Sequence, residues 1–219
     1  MKALSRIQWF RLGACLAGVV AFWAVWQGAP VSAAYKEAQY AIVQTLSKSI
    51  EIREYAPQLV AEVTVPGARN DAANSGFRQL FAYITGANTS KQSVAMTTPV
   101  VEAKTKTTET IAMTTPVTES SSQDGWVIRF FLPSNYTLKT VPTPTNKQVV
   151  ISETRPRKVA VIRFSGMGNN ESLNKHERLL REALIAEGKT VLGTPEYAFY
   201  NAPFTLPFLR RNEVMLAVE

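Results

Sequence analysis

Cysteine is almost absent: the chain of 219 residues has one, Cys15. It lies in an uncharged run, Leu12–Trp26, preceded by Lys2, Arg6 and Arg11 and by no acid. A basic start, an apolar middle and a Val-Ser-Ala exit have the form of a secretory signal peptide over residues 1–33, cut after Ala33. The alternative is an uncleaved anchor, since no charge appears between Leu12 and Tyr35, and Trp23 and Trp26 suit a membrane interface. Only three residues separate Cys15 from Arg11, too few for the apolar core of a lipidation signal. Residues 34–219 then hold no cysteine, which excludes disulfides, zinc–thiolate sites and cysteine nucleophiles there.

Histidine and aspartate are nearly as scarce. His176 is the only imidazole, and Asp71 and Asp124 are the only aspartates. A Ser-His-Asp set must recruit His176, yet no G-x-S-x-G elbow exists. Metal sites built on nitrogen or sulfur lack ligands. Glu51, Glu54 and Glu62 fall at alternating strand positions and read as exposed side chains. The expectation is a binding protein rather than an enzyme. The net charge of +7 falls to +4 without the leader's three basic residues. The densest basic stretch, Arg155–Lys158, sits between two strand-like runs as a solvated turn, so nucleic acid is not an expected partner.

What is present is mostly strand pattern. "QYAIVQTL", "SIEIREY" and "QLVAEVTV" alternate up to Pro66-Gly67. "NDAANSGFRQLFAYITG" predicts a helix capped by Asn70 or Asp71 and ended by Gly86, with Ala73, Phe77, Leu80, Phe81 and Ile84 as its apolar stripe. The chain then writes nearly the same eight letters twice, "SVAMTTPV" at Ser93–Val100 and "TIAMTTPV" at Thr110–Val117. Both have strand alternation, and the polar linker between them suits a hairpin tip. "GWVIRFFLP", "KQVVISET" and "KVAVIRFSG" are further strands. "NNESLNKHERLLREALIAEG" is a second helix, capped by Asn169 or Asn170, with two closing strands after it. Strands, a helix and more strands, occurring twice, predict an α+β fold: a distorted antiparallel β-barrel flanked by two α-helices, internally duplicated with pseudo-two-fold symmetry. His176 shares the apolar seam of the second helix with Leu173, Leu180 and Leu184. It reads first as a packed histidine and second as an axial ligand to an iron porphyrin. Met96 and Met113 pose the same choice between core filling and ligation.

The doubled "AMTTPV", the strand "IEIREYAP", "FSG" at Phe164–Gly166 and the ending "YNAPFTLPFLRRNEVMLAV" resemble the SOUL haem-binding protein family, over about Tyr40 to Val218. The resemblance implies one domain over 34–219, reversible binding of haem or a related tetrapyrrole, and no catalytic residues. It places the ligand between the first helix and the loop before the last strand. Here that implies apolar walls from Phe77, Phe81, Phe204, Leu206 and Phe208, and polar or cationic contacts from Asn74, Arg78, Arg210 and Arg211. The histidine ligand of one branch falls at Glu54, so that route to the iron is closed. The leader implies a periplasmic or secreted protein that buffers or carries pigment, or one anchored in the inner membrane facing the periplasm. The other reading is a module for different hydrophobic small molecules or a protein partner on the same barrel.

Overall fold

The computed structural model describes residues 36–90 and 108–219. The leader and the first copy of the repeat, with its Met96, lie outside the described residues, and so does the expected pairing of the two copies.

Alternation becomes strand almost wherever it was expected. β1 (Ala41–Ser47), β2 (Ile50–Tyr55) and β3 (Leu59–Val65) lead into helix α1 (Arg69–Ile84). β4 (Val117–Ser122) and β5 (Gly125–Phe131) form a hairpin. β6 (Val150–Glu153) and β7 (Arg157–Phe164) flank the Arg-Pro turn. Helix α2 (Asn170–Ala186), β8 (Val191–Phe199) and β9 (Asn212–Val218) follow. The nine strands make one antiparallel sheet in the order β6-β3-β5-β4-β8-β9-β7-β2-β1.

The fold is therefore α+β, a mostly antiparallel sheet with two helices. Among the described residues the sheet of the expected distorted barrel is open, because β6 and β1 do not pair with each other. Its edges explain why. β6 has four residues, and β1 breaks register twice, between Ile42/Gln44 and Thr45/Ser47. Short and bulged edges do not extend a ladder.

The second copy of the repeat is not one continuous strand either. Thr114–Thr115 pairs parallel with Lys36–Glu37, the Thr115–Pro116 peptide is cis, and β4 begins only at Val117. Pro116 has no N–H to donate, so the ladder breaks there. Ile111 is buried and Met113 packs beside it, as core filling.

Both helices cover one face of the sheet. Leu80, Tyr83 and Ile84 of α1 meet Ile128 and Phe130, while Leu173, Leu180 and Leu184 of α2 meet Ile52, Ile162 and Leu216. The buried stripe of α1 is rotated from the expected one. It runs Ala72, Gly76, Leu80, Tyr83, and leaves Phe77 half-buried and Phe81 exposed. Gly76 is the cause. A Cβ there would lie 2.8 Å from Ile128 Cγ1, so the helix rests on the sheet along its glycine edge, with Phe77 at the margin of the core against Phe130 and Phe81 in solvent. The expected side-chain cap is also missing: Ala68 is the N-cap of α1. α2 is capped as expected, with Asn169 Oδ1 accepting from Ser172 N at 2.9 Å. On the sheet's other face Tyr55, Val159, Val161, Ala198 and Met215 form a third cluster. Among the described residues no helix is long and apolar enough to cross a membrane.

Candidate ligand-binding cleft

Arg69 opens α1, and its burial fixes the geometry beside it. Its guanidinium donates to Glu119 Oε2 at 2.7 Å, to Asn170 Oδ1 at 2.6 Å and to the Gly168 carbonyl at 3.1 Å. One side chain thus joins the start of α1, strand β4 and the start of α2. Burial pushes the Glu119 carboxyl up, and the charge and hydrogen bond of Arg69 offset this only in part. Gly168 is required in this corner, since a Cβ would lie 2.5 Å from the Phe199 ring.

Above this floor lies a cleft of about 520 Å³ between the first turns of α1 and the loop from Asn201 to Arg211. Ala73 and Asn74 form one wall, and Ala202, Pro203 and Arg210 the other. Met167 and Phe199 close its end. Arg210 holds the loop in shape by donating to the carbonyls of Thr205 at 2.7 Å and Pro203 at 2.6 Å. Its Nη1 lies 3.8 Å from Met167 Sδ.

Of the nine residues expected at the site, Asn74 and Arg210 meet across this cleft. Phe77 and Phe81 continue the Asn74 face along α1 at helical spacing, their rings stacked with centroids 5.8 Å apart. Phe77 also meets Phe130 edge-on at 5.3 Å. Arg78 is exposed and lines a separate depression of about 280 Å³ with Gln79 and Asn146. Phe204, Leu206 and Phe208 are exposed on the loop and do not line the cleft. Arg211 turns toward the opposite face of the sheet. There it donates to Glu213 at 3.0 Å and Glu37 at 2.9 Å, and stacks over the Tyr200 ring at 3.8 Å. Glu213, fully buried, also accepts from Arg53 and from the Tyr200 hydroxyl.

His176 takes the first of its two expected roles. Its ring stacks on Phe164 with centroids 3.8 Å apart, and Nδ1–H donates to the Ser172 carbonyl at 2.7 Å, away from the cleft. Arg69, Met167 and Phe199 escaped the sequence reading. Their partners lie up to 101 positions away in the chain, a distance that no periodicity reports.

A larger recess of about 680 Å³ lies near the second copy of the repeat, walled by Pro57, Leu59, Leu132, Leu138 and Thr114. Its rim carries the carboxylates of Glu37 and Glu153. Arg211 pairs with Glu37, and Lys139 also lines the recess, which leaves two acids to one cation in its lining. The cleft has one acid, Glu119, to two cations, Arg69 and Arg210. A dianionic ligand therefore meets less repulsion in the smaller site. Among the described residues no three His, Cys, Asp or Glu side chains converge as metal ligands.

The sequence model of the SOUL heme-binding protein family matches residues 35–217. The chain belongs to the SOUL heme-binding protein family. It is 29% identical over 172 residues to a mouse protein named "Heme-binding protein 2", covering 77% of each chain. Against the human protein of the same name it is 29% identical over 171 residues, again 77% of each. Among solved structures, it resembles the EcmrR C-terminal domain with TM-score 0.50 and 12% identity, over 82% of this SOUL chain and 98% of that one. A hydrolase from Listeria innocua gives TM-score 0.51 and 10% identity, over 79% and 93%. At such identities these likenesses speak for the fold of the SOUL chain alone.

Proposed function

We propose that the chain reversibly binds haem or a related tetrapyrrole in the cleft beside α1, buffering or carrying it outside the cytoplasm. What carries this reading is the family match over residues 35–217. The cleft's chemistry fits such a pigment. Its volume is in the range of small-molecule sites, Ala73, Phe199 and Pro203 are apolar, and Arg210 offers a cation for a propionate. Phe77 and Phe81 extend the apolar ledge along the helix. Met167 brings a thioether, a donor that haem iron accepts. The lining has no histidine, so nothing there demands a permanent bond to iron, and burial of the flat macrocycle supplies the affinity.

The leader supports export, with 1–33 as signal peptide or anchor and 34–219 as the working domain. The strand order supports internal duplication. β3-α1-β4-β5 and β7-α2-β8-β9 repeat one plan, and their strands are arranged in mirror order about the β4–β8 ladder. A second reading, capture of another hydrophobic molecule, is favoured by the 680 Å³ recess and its proline and leucine walls.

Hemin titrated into the purified chain is expected to give a saturable Soret change. Asn74 is exposed at the cleft wall, so Asn74→Arg should tighten binding and Asn74→Glu weaken it. An exposed charge contact of about 0.2–1 kcal/mol amounts to a change of up to roughly fivefold. Linear, unsaturated absorbance would overturn haem binding. Sensitivity to Leu138→Arg with indifference at Asn74 would move the ligand to the recess.

A further inference from the structure

The loop between β8 and β9 is built the wrong way round for water. Phe204 is 90% exposed, Phe208 70%, Leu209 62% and Leu206 55%. Single exposed apolar residues are ordinary, but four on one loop are a patch with a use.

The loop is not loose chain that happens to show its side chains. Thr205 N donates to the Ala202 carbonyl at 3.0 Å and Leu209 N to the Leu206 carbonyl at 2.9 Å, and Pro207–Leu209 is a 3-10 turn. The Arg210 guanidinium fills the inside, satisfying the carbonyls of Thr205 and Pro203. Gly166 N donates to the Pro207 carbonyl at 2.9 Å and pins the loop to the neighbouring turn. Polar groups face inward and rings outward, so their ordering cost is met before any partner arrives.

Two observations identify that partner. From Asn201 to Asn212 the sequence has no acid, and its two arginines are held by loop carbonyls and by Glu213 and Glu37. The loop thus offers an uncharged apolar tip that an interfacial layer accepts and anionic headgroups do not repel. The second is where the preceding chain enters the domain. Arg211, at the root of the loop, donates to Glu37 at 2.9 Å, which fixes the chain at Lys36–Glu37 beside that root. The uncharged run Leu12–Trp26 ends eleven residues before Glu37, so in the anchor reading of the leader a bilayer-held segment precedes the domain by a short link. At about 3.3–3.6 Å per residue those positions span at most roughly 40 Å.

We propose that Phe204, Leu206, Phe208 and Leu209 form a finger that inserts into the interfacial layer of a phospholipid bilayer. The apolar side chains are on the side of the loop away from the cleft, which Ala202, Pro203 and Arg210 wall, and the vesicle test is run without hemin, so its failure leaves the pigment reading standing.

The test uses the full chain with Cys15→Ser, carrying one environment-sensitive fluorophore through Phe204→Cys, Phe208→Cys or, as control, Ile185→Cys. Ile185 is 74% exposed at the end of α2, away from the loop in the chain. Vesicles of phosphatidylethanolamine and phosphatidylglycerol should shift emission to the blue at 204 and 208, with quenching by nitroxide-labelled lipid. Position 185 should show neither. A label at Leu206→Cys should lose its quenching when Phe204→Ser and Phe208→Ser are added, with the far-ultraviolet spectrum unchanged. Three outcomes overturn the proposal: no vesicle response at 204 and 208; equal quenching at all three sites, meaning general adsorption; or a shift without vesicles that grows with protein concentration, meaning a second copy covers the patch.

Discussion

Glu196 is buried on the face of the sheet away from the helices and is charged there because of Arg157. Burial alone would raise its pKa, but the charge and hydrogen bond of Arg157 outweigh it and hold the carboxyl below its ordinary value. A carboxyl depressed in this way stabilises the fold above its unfolded pKa, and the contribution is lost as pH falls through the folded value. Glu196→Gln is therefore expected to melt well below the parent chain at about pH 7, by about 1–3 kcal/mol of stability. The two curves should converge as pH drops below the ordinary carboxylate range, which calorimetry across that interval will show. Glu119 works in the other sense. Its raised pKa makes ionisation costly in the folded state, so its share of stability grows as pH falls. That share is common to parent and variant and cancels between them. None of this was legible beforehand, because the sequence shows charges and not which of them will be neighbours.

At the scale of elements, α1 depends on a glycine that sequence reasoning treats as a weakness. In an isolated helix Gly76→Ala would gain about 1 kcal/mol. Against Ile128, whose Cβ would lie 3.0 Å from the new methyl group, the substitution is expected to cost about 1–3 kcal/mol instead. A lowered denaturation midpoint at unchanged slope is the expected result, and a raised midpoint would show that the sheet gives way. The same glycine shows where periodicity falls short. Counting apolar residues located α1 well, but chose Phe77 and Phe81 over Tyr83 for its inner face, because hydrophobicity outranks close approach in any such count. α2 kept its expected stripe of Leu173, Leu180 and Leu184, since no small residue competes there. That Asn74 and Arg210 line one cleft is a matter of remote chain segments, which periodicity does not report; only the family resemblance had put them together.

For the whole molecule, Lys36–Glu219 is one compact unit, and all three apolar clusters draw on it. A chain starting at Lys36 should therefore melt within a few degrees of the full one. Starting at Tyr40 removes the Lys36–Glu37 ladder and the Glu37–Arg211 pair, a further loss of about 1 kcal/mol by circular dichroism. Strand content and sheet class were legible because alternation is local. Closure was not, because it depends on whether two remote edges are long and regular enough to meet. Arg69 has a mechanical consequence at this scale. With β4 and the roots of both helices bolted together by one guanidinium, the crevice has a fixed jaw. The opposite jaw is set as well, by Arg210 inside the loop and by the Gly166 turn that holds Pro207, so a ligand must match a gap whose two sides are already built.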